Sequence, residues 1–211
     1  MSPLVKIAAS LMVSYLIGSI PTAYLFGRAR GIDIRQHGSG NVGATNAFRV
    51  LGKGQGATVL VLDIFKGVVA TAFLPGWFGI HDNILMYVLH GLVVVSGHNW
   101  TCFLNFKGGK GIATSLGVLI GLTIQIAAIR PVLLATILVW LVVFLLTGFV
   151  SLASILAATV LPMAMVVTDQ VFSVVAMGVV FCIFVVIRHR PNIHRLLSGT
   201  ESRVRLPLGR K

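Results

Sequence analysis

Residues 132–147 read VLLATILVWLVVFLLT, an almost purely apolar stretch in which no side chain carries a charge. A helix of about 20 apolar residues crosses the ~30 Å hydrocarbon core of a bilayer, so this stretch is typical of a membrane span. The whole chain has the same character, since 56% of its 211 residues are hydrophobic, 10% are charged and the mean hydropathy is +0.96. The composition indicates an integral membrane protein and not a soluble domain with one anchor.

Seven apolar segments approach the length that a helical span needs, and they predict an all-α membrane protein. The predicted spans are residues 4–26, 57–78, 84–96, 112–129, 132–147, 149–167 and 171–187. The third and fifth are short, and a count of five spans stays open because it places both termini on the same sides. No long polar region is left to fold separately, so residues 1–211 are expected to form a single polytopic domain.

Basic residues concentrate in two loops and the C-terminal tail. With seven spans these three segments share one side of the membrane, and the positive-inside rule makes that side cytoplasmic. The N-terminus is then expected outside and the C-terminus inside. The residues are Arg28, Arg30, Arg35, Arg49 and Lys53 in the first loop, Lys107 and Lys110 in the third, and Arg188, Arg190, Arg195, Arg203, Arg205, Arg210 and Lys211 in the tail.

The third loop contains the sequence FKGGKG at residues 106–111, which we call the glycine-lysine loop. Its glycines let backbone N–H groups approach a ligand closely, and its two lysines add positive charge. Gly111 precedes another apolar stretch, so helical N–H groups are expected to point back at the loop. Such an arrangement favours a phosphate or another oxyanion. A positively charged turn that only fixes topology is the alternative.

Two further polar segments carry candidate functional groups. Residues 38–49 read GSGNVGATNAFR and supply hydroxyl and amide groups, and the guanidinium of Arg49 can hold a phosphate through two hydrogen bonds. Residues 189–201 begin with HRPN, in which Pro191 is expected to end the last span nearby. A plain connecting loop and an interfacial histidine without a catalytic role remain the alternatives.

Asp63 and Lys66 lie inside the second predicted span. At helical spacing i and i+3 they share a face and can pair. A charge at bilayer depth costs roughly 2.5–3.5 kcal/mol on insertion scales, so such residues usually face protein or a hydrated cavity. A self-satisfied pair near the membrane edge is the alternative to a role in binding.

The remaining composition narrows the classes of function. Cys102 and Cys182 do not suggest a disulfide framework or a metal knuckle, and five scattered acids leave little for a dinuclear metal site. The net charge of +12 in so apolar a chain favours anionic lipid head groups and phosphate substrates over nucleic acid.

Several blocks of the sequence resemble the bacterial acyl-phosphate-dependent glycerol-3-phosphate acyltransferases. They occur in the order of that family and extend over nearly the whole chain. Two departures are small: Asn99-Trp100-Thr101 replaces the usual aromatic-proline pair after His98, and the tail beyond Glu201 is longer and more basic. The matching blocks are residues 18–21, 39–46 with Arg49, 63–67, 97–98, 106–114, and 189–192 with 199–201.

The resemblance implies a reaction in the first step of phospholipid synthesis. Such enzymes transfer a fatty acyl group from acyl phosphate to the 1-hydroxyl of glycerol 3-phosphate, giving 1-acyl-glycerol 3-phosphate (lysophosphatidic acid) and phosphate. Acyl phosphate is already activated, so no cofactor, coenzyme A or acyl carrier protein is expected at this step. The implied location is the bacterial cytoplasmic (inner) membrane, with the active site facing the cytoplasm and the lipid bilayer supplying the acyl donor.

On the matched blocks, the resemblance and the residue types together give a candidate site without a metal. The expected catalytic residues are Ser39, His189 and Asn192, which should converge at the cytoplasmic membrane edge, with Asp63 and Glu201 as structural support. The expected substrate-binding residues are Asn41, Thr45, Asn46, Arg49, Lys66, Lys107, Gly108, Gly109, Lys110, Gly111 and Thr114.

Histidine spacing argues against a local general-base dyad. None of the six histidines has an acidic residue five positions later, so no H-x4-D pair is available. We therefore expect the departing phosphate of the acyl donor to take the proton, while the protein orients substrates and stabilises charge. A small anion carrier is the alternative function, although polar residues clustered on one side differ from the midplane sites of carriers. A non-catalytic lipid-binding scaffold would not explain Ser39, Asn41 and the glycine-lysine loop together.

Reporter fusions test the predicted topology. Fusions after Lys53, Lys110 and Lys211 should all report a cytoplasmic location, because positively charged segments are retained on that side. Alkaline phosphatase and green fluorescent protein activities provide the two opposite readouts. A periplasmic signal at any one of the three positions contradicts the arrangement.

Overall fold

The computed structural model describes residues 2–204, and every regular element within them is helical, which confirms the all-α prediction for that part of the chain. The chain divides after Ala127 into two compact units. Within residues 2–127 the helices are α1 (Pro3–Ser19), α2 (Thr22–Arg28), α3 (Ala44–Val50), α4 (Lys53–Val68), α5 (Leu74–Trp77), α6 (Ile84–Asn99) and α7 (Ile112–Gln125). Within residues 128–204 they are α8 (Arg130–Thr147), α9 (Val150–Val167), α10 (Phe172–Arg188) and α11 (Arg190–Leu197).

All seven predicted spans fall on helices, but length and apolar composition support fewer crossings. In the described residues three stretches are long and apolar enough to cross a membrane, namely Lys53–Trp77, Ala127–Thr147 and Val150–Val167. The number rises to five when each of two bent helix pairs counts as one span. The count of seven and the sides of the termini therefore stay predictions. The tail residues Arg205, Arg210 and Lys211, which entered the charge argument, lie outside the described residues.

Prolines explain both bent pairs. The first predicted span, 4–26, is not one straight helix, because α1 ends at Ser19 and α2 continues at an angle of 45°. Pro21 lacks an N–H group and disfavours helical geometry at the residue before it. Near the C-terminal end of the described residues α10 and α11 meet at 60°, where Pro191 at the start of α11 has no N–H with which to continue the hydrogen bonds of α10. The predicted end of the last span near Pro191 is confirmed.

Small residues let the helices of the first unit approach closely. A Cβ at Gly18 of α1 would overlap the backbone of Val94 in α6. Between α4 and α7 the contact is reciprocal, because a Cβ at Gly67 would meet the carbonyl oxygen of Thr114 and one at Gly117 would meet that of Ile64. Close backbone contact through glycine is the usual means of helix association in lipid, where apolar side chains gain nothing by leaving the solvent.

The polar segment between α2 and α4 also has a core of its own. Ala23, Ile34, Ala47 and Val59 are fully buried and pack together, which fixes the short helix α3 against α2 and α4. This first-loop segment is therefore an ordered platform attached to α4 and not a plain connector.

In the second unit α9 packs against both α8 and α10. Gly178 of α10 lies against Met165 and Pro162 of α9. After α11 the chain returns to the α8–α9 turn, where the N–H of Val204 donates to the carbonyl of Gly148 at 2.9 Å. The segment that contains Glu201 is thereby held beside the start of α9.

Substitution of Gly117 tests the close packing of α4 and α7. Gly117→Ala should lower stability by about 1–3 kcal/mol, because overpacking forces the two backbones apart. Thermal unfolding of the detergent-solubilised protein measures the change. Gly54→Ala is the matched control, since Gly54 is also helical but has open space around an added Cβ. Equal unfolding temperatures for the two variants would contradict the packing argument.

Candidate active site

Ser39 lies in a tight turn that Asn46 holds in place. The flanking Gly38 and Gly40 have φ of +61° and +69°, which is left-handed backbone that favours glycine. The N–H of Ser39 donates to Asn46 Oδ1 at 2.9 Å, while Asn46 Nδ2 donates to the carbonyls of Ile34 at 3.2 Å and His37 at 3.1 Å. Asn46, predicted as a substrate ligand, thus has its amide engaged in shaping the turn that exposes Ser39.

Other predicted ligands surround this turn. Asn41 Oδ1 accepts from the N–H of Gly43 at 3.0 Å, immediately before α3 begins. Thr45 and Arg49 lie on α3 and are exposed, so both side chains can reach a solute. The structure therefore presents one hydroxyl and one guanidinium beside the Ser39 turn.

The glycine-lysine loop is fixed by the end of α6. The N–H groups of Gly108 and Gly109 donate to the carbonyls of Asn99 at 3.1 Å and His98 at 2.9 Å. Gly108, Gly109 and Gly111 are buried, whereas Lys107 is exposed. A Cβ at Gly108 or Gly109 would overlap atoms of His98, and Gly111 has a φ of +78°. Backbone overlap therefore requires glycine at 108, the left-handed φ favours it at 111, and at 109 the His98 imidazole leaves no room for a side chain.

The N-terminal turn of α7 follows this loop directly, and buried polar atoms lie beside it. The Oγ1 of Thr114 is fully buried without a hydrogen-bond partner among the described residues, as are both amide atoms of Asn99. Buried polar groups are normally paired, so unpaired ones in native structures call for a ligand or solvent molecule as partner. Together with the positive end of the helix dipole, these groups suit an oxyanion.

A buried ion pair stands behind the loop. Lys66 Nζ lies 2.9 Å from Asp63 Oδ1, so the i, i+3 pairing expected from the sequence is observed. The same ammonium contacts His98 Nδ1 at 2.8 Å and the carbonyl of Ile20 at 3.3 Å, while Thr22 Oγ1 donates to Asp63 Oδ1 at 3.0 Å. Three contacts engage the three donors of Lys66, which favours support of the loop; its predicted contact with substrate stays a prediction.

The predicted catalytic residues of the second unit lie where α10 meets α11. His189 follows the last residue of α10 and is 3% exposed, and its Nδ1 donates to the carbonyl of Val185 at 2.8 Å. The carbonyl can only accept, so Nδ1 carries a proton. Asn192 lies one turn later, where its N–H donates to the carbonyl of His189 at 2.9 Å.

Glu201 organises the neighbourhood of Asn192. Its Oε1 accepts from Asn192 Nδ2 at 2.6 Å and from Ser151 Oγ at 2.7 Å, and its Oε2 accepts from Arg195 Nε at 2.7 Å. Burial alone would raise the pKa of the Glu201 carboxyl, but the hydrogen bonds from Asn192, Ser151 and Arg195 outweigh it and hold the pKa below its ordinary value of 4.5. These contacts hold the amide of Asn192 in place, and the role of Glu201 in supporting a catalytic site stays a prediction.

An ion pair between Arg35 and Asp33 lies at the surface of the first-loop platform. Arg35 donates two side-chain hydrogen bonds to Asp33, at 2.9 and 2.6 Å, and lies over the ring of Tyr24 at 4.8 Å from its centroid. The side-chain hydrogen bond from Arg35 lowers the pKa of Asp33 to about 2. Arg35 is therefore occupied at the surface, whereas Arg49 projects from α3.

The structure brings together some predicted residues and adds others. Asp63 and Lys66 lie together behind the glycine-lysine loop, and Asn192 lies with Glu201; the convergence of Ser39 with His189 and Asn192 stays a prediction. Sequence reasoning missed the supporting residues that contact these groups across the chain. They are His98, Asn99, Ser151 and Arg195, and only the position of His98 and Asn99 just before the glycine-lysine loop signalled any of them.

The arrangement suits anion binding and charge stabilisation. The exposed Lys107 and the first N–H groups of α7 lie at the glycine-lysine loop, and a guanidinium and a serine are exposed on the first-loop platform. Within residues 2–204 no three side chains of His, Cys, Asp or Glu are grouped to hold a metal ion.

Comparison with known proteins gives consistent matches along the chain. A sequence model of the family described as glycerol-3-phosphate acyltransferase matches residues 8–199. A glycerol-3-phosphate acyltransferase of Desulforudis audaxviator is 47% identical over 198 residues, covering 90% of this chain and 92% of the relative. One of Fusobacterium nucleatum is 43% identical over 194 residues, covering 92% and 95%.

Two solved structures are also similar to this chain. A crystal structure of PlsY (YgiH), an integral membrane glycerol 3-phosphate acyltransferase, in its glycerol 3-phosphate form superposes with a TM-score of 0.84 at 39% identity. It covers 94% of this chain and 96% of that protein. The lysophosphatidic acid form gives a TM-score of 0.81 at 38% identity and covers 94% and 95%.

The lowered pKa of Glu201 predicts a pH-dependent contribution to stability. A carboxyl with a depressed pKa in the folded state stabilises the protein above its unfolded pKa, and that stabilisation is lost as the pH falls through the folded pKa. Glu201→Gln should therefore lower the unfolding temperature at pH 7, and the difference from the parent protein should shrink below about pH 4.5. Thermal unfolding in detergent from pH 7 to pH 3.5 measures it.

Asp82→Asn provides the control for this comparison, because it removes an exposed loop carboxyl with similar loss of charge. A difference between Glu201→Gln and the parent protein that is the same at every pH would contradict the assignment.

Proposed function

The chain belongs to the glycerol-3-phosphate acyltransferase family, and we propose that it transfers a fatty acyl group from acyl phosphate to the 1-hydroxyl of glycerol 3-phosphate. The products are 1-acyl-glycerol 3-phosphate and inorganic phosphate. The observation that supports the proposal is the glycine-lysine loop, in which buried glycines and two lysines directly precede the N-terminus of α7, an arrangement that suits a phosphate group. Both proposed substrates carry one.

The two phosphates call for two cationic groups. The glycine-lysine loop contributes Lys107 and Lys110 and leads into the first N–H groups of α7, with Thr114 as a buried hydroxyl. The first-loop platform supplies the exposed guanidinium of Arg49, which suits a phosphate through paired hydrogen bonds. Asn41 and Thr45 lie beside it and can hydrogen-bond substrate oxygens.

Ser39, His189 and Asn192 are proposed to act on the reacting groups. The exposed hydroxyl of Ser39 and the amide of Asn192 would hydrogen-bond substrate oxygens, and the amide is oriented by Glu201. Nδ1 of His189 is committed to a backbone carbonyl, so its Nε2 is the atom that would orient a phosphate or the attacking hydroxyl. None of these roles requires the histidine to act as a base.

The proposed chemistry is a direct acyl transfer. The 1-hydroxyl oxygen attacks the acyl carbonyl carbon, a new ester C–O bond forms, and the bond from that carbon to the phosphate oxygen breaks. The departing phosphate takes the hydroxyl proton and leaves as inorganic phosphate. The protein contributes orientation and stabilisation of negative charge, and coenzyme A and acyl carrier protein take no part.

The proposed setting is the bacterial cytoplasmic membrane. The acyl donor is amphipathic and enters from the bilayer, whereas glycerol 3-phosphate is soluble and enters from the cytoplasm. We propose that residues 1–211 work as one acyltransferase domain that crosses the membrane seven times, with the three basic segments and the active site facing the cytoplasm.

An assay of the purified protein in detergent tests this function. Palmitoyl phosphate and glycerol 3-phosphate together should yield lysophosphatidic acid and phosphate in equal amounts, measured by mass spectrometry and phosphate release. Palmitoyl coenzyme A in place of palmitoyl phosphate should give no product. Arg49→Lys should lower kcat/KM by roughly 10- to 100-fold, the equivalent of the about 1.5–3 kcal/mol typical of hydrogen bonds to a charged group.

Arg28→Lys is the matched control, because Arg28 belongs to the same basic segment and the substitution preserves charge as well. Its activity should equal that of the parent protein. Lysophosphatidic acid made from palmitoyl coenzyme A would overturn the proposed donor. An acyl-Ser39 adduct after incubation with donor alone would replace direct transfer by a two-step mechanism.

A further inference from the structure

His98 lies between the buried ion pair and the glycine-lysine loop. It belongs to the last turn of α6 and is 7% exposed. Its Nδ1 lies 2.8 Å from Lys66 Nζ and 3.8 Å from Asp63 Oδ1. We call these three residues the Asp63–Lys66–His98 cluster. It joins α4 to α6 on the side of α6 that carries the loop.

The contact with Lys66 fixes the tautomer of His98. A lysine ammonium has three donors and no acceptor, so the ring nitrogen that faces it must accept. Asp63 at 2.9 Å keeps the ammonium charged by pairing with it. The hydrogen-bond pattern therefore assigns the ring proton to the other nitrogen, Nε2.

That Nε2–H lies against the glycine-lysine loop. It occupies the space in which a Cβ of residue 109 would stand. The backbone of the same histidine accepts from the N–H of Gly109 at 2.9 Å. One residue therefore contacts Gly109 through both its main chain and its side chain.

We propose that His98 is a positioning residue for the phosphate site: the Asp63–Lys66 pair holds it as the Nε2–H tautomer, and the imidazole holds Gly109 in the conformation that binds phosphate. The inference rests on the proposed role of the loop in binding a substrate phosphate. A cluster of charges in the membrane domain gives little net stability, because desolvation offsets attraction. Positioning of a binding loop would explain why the charges are buried here, which their small contribution to stability does not explain.

Substitutions of His98 distinguish the roles of its two ring nitrogens. In His98→Gln the side-chain amide nitrogen can replace Nε2 beneath the loop, whereas in His98→Asn the shorter side chain keeps only an acceptor for Lys66. We expect His98→Ala and His98→Asn to raise the KM of one phosphate substrate by roughly 10- to 100-fold, with a smaller change in kcat. The affected substrate should be the same one whose KM rises in Gly109→Ala. His98→Gln should stay within about threefold of the parent protein.

A double substitution gives a second readout. In the parent background the three atoms nearest to an added Cβ at residue 109 all belong to the imidazole, which His98→Ala removes. The combined KM increase in His98→Ala/Gly109→Ala should therefore be less than about one tenth of the product of the two single increases. A combined KM increase equal to the product of the two single increases would show that the side chain and the loop act independently, and would overturn the proposal.

His90→Ala is the matched control. His90 is also buried on α6, but its Nδ1 contacts the carbonyl of Met86, two turns away from the loop. The variant should unfold at a lower temperature and keep normal KM values. If His98→Ala fails to fold, His98→Gln and His98→Asn decide the question, because both keep a polar side chain. Equal KM values for these two variants, or a uniform loss of kcat alone, would show a purely structural role.

Binding without turnover separates this proposal from the proposed function. Glycerol 3-phosphate and inorganic phosphate should each raise the unfolding temperature of the parent protein and raise it less in His98→Asn. A parent protein that shows these shifts but makes no product from palmitoyl phosphate would overturn only the donor assignment. Equal shifts in the parent protein and His98→Asn would overturn the positioning role, whichever acyl donor the enzyme uses.

Discussion

The burial of Lys66 is the constraint around which the first unit is arranged. An ammonium group in so apolar a chain must find a counter-charge and acceptors, because it loses its hydration on burial. Asp63 supplies the charge from the same helix, and His98 and Ile20 supply acceptors from elsewhere in the chain. Satisfying one lysine therefore fixes the end of α6 and the break after α1 relative to α4.

The conformation of the glycine-lysine loop depends on that arrangement. It follows α6 by a few residues, and its glycines contact the backbone and side chain of the helix end. Flexible glycines would leave a free loop with many conformations, at a cost when a ligand orders it. Here the packing restricts the loop beforehand, so the proposed binding of a phosphate would not have to order it.

In the second unit a carboxylate has the corresponding organising role. The two oxygens of Glu201 accept hydrogen bonds from three residues of α9 and α11, which are Ser151, Asn192 and Arg195. Ionised carboxylates accept short and strong hydrogen bonds, so one acid can orient an amide that is too flexible to orient itself. The membership of the chain in an acyltransferase family gives that orientation a purpose, since Asn192 is a proposed catalytic residue.

Much of this was readable from local pattern. The apolar segments gave the helices, Pro191 gave the end of α10, and the spacing of Asp63 and Lys66 gave their pairing, because each depends on residues within one or two turns. The break at Pro21 was open to the same argument, and the prediction of an unbroken span overlooked it. The glycine-lysine loop was recognisable because glycine and charge at a helix start have few other uses.

The sequence by itself therefore determined the membrane class, the helical segments and the chemistry of the loops. Only the tertiary structure decided which side chains those loops depend on. His98 is 32 residues from Lys66 and Ser151 is 50 from Glu201 along the chain, so no local period relates them. Asn46 shows the same limit: its type suggested a substrate ligand, and only the structure shows that it also holds the Ser39 turn through contacts with Ile34, His37 and Ser39. Its contact with substrate stays a prediction. Hydrogen bonds are directional and short, and the partners that satisfy them are known only after the helices have packed.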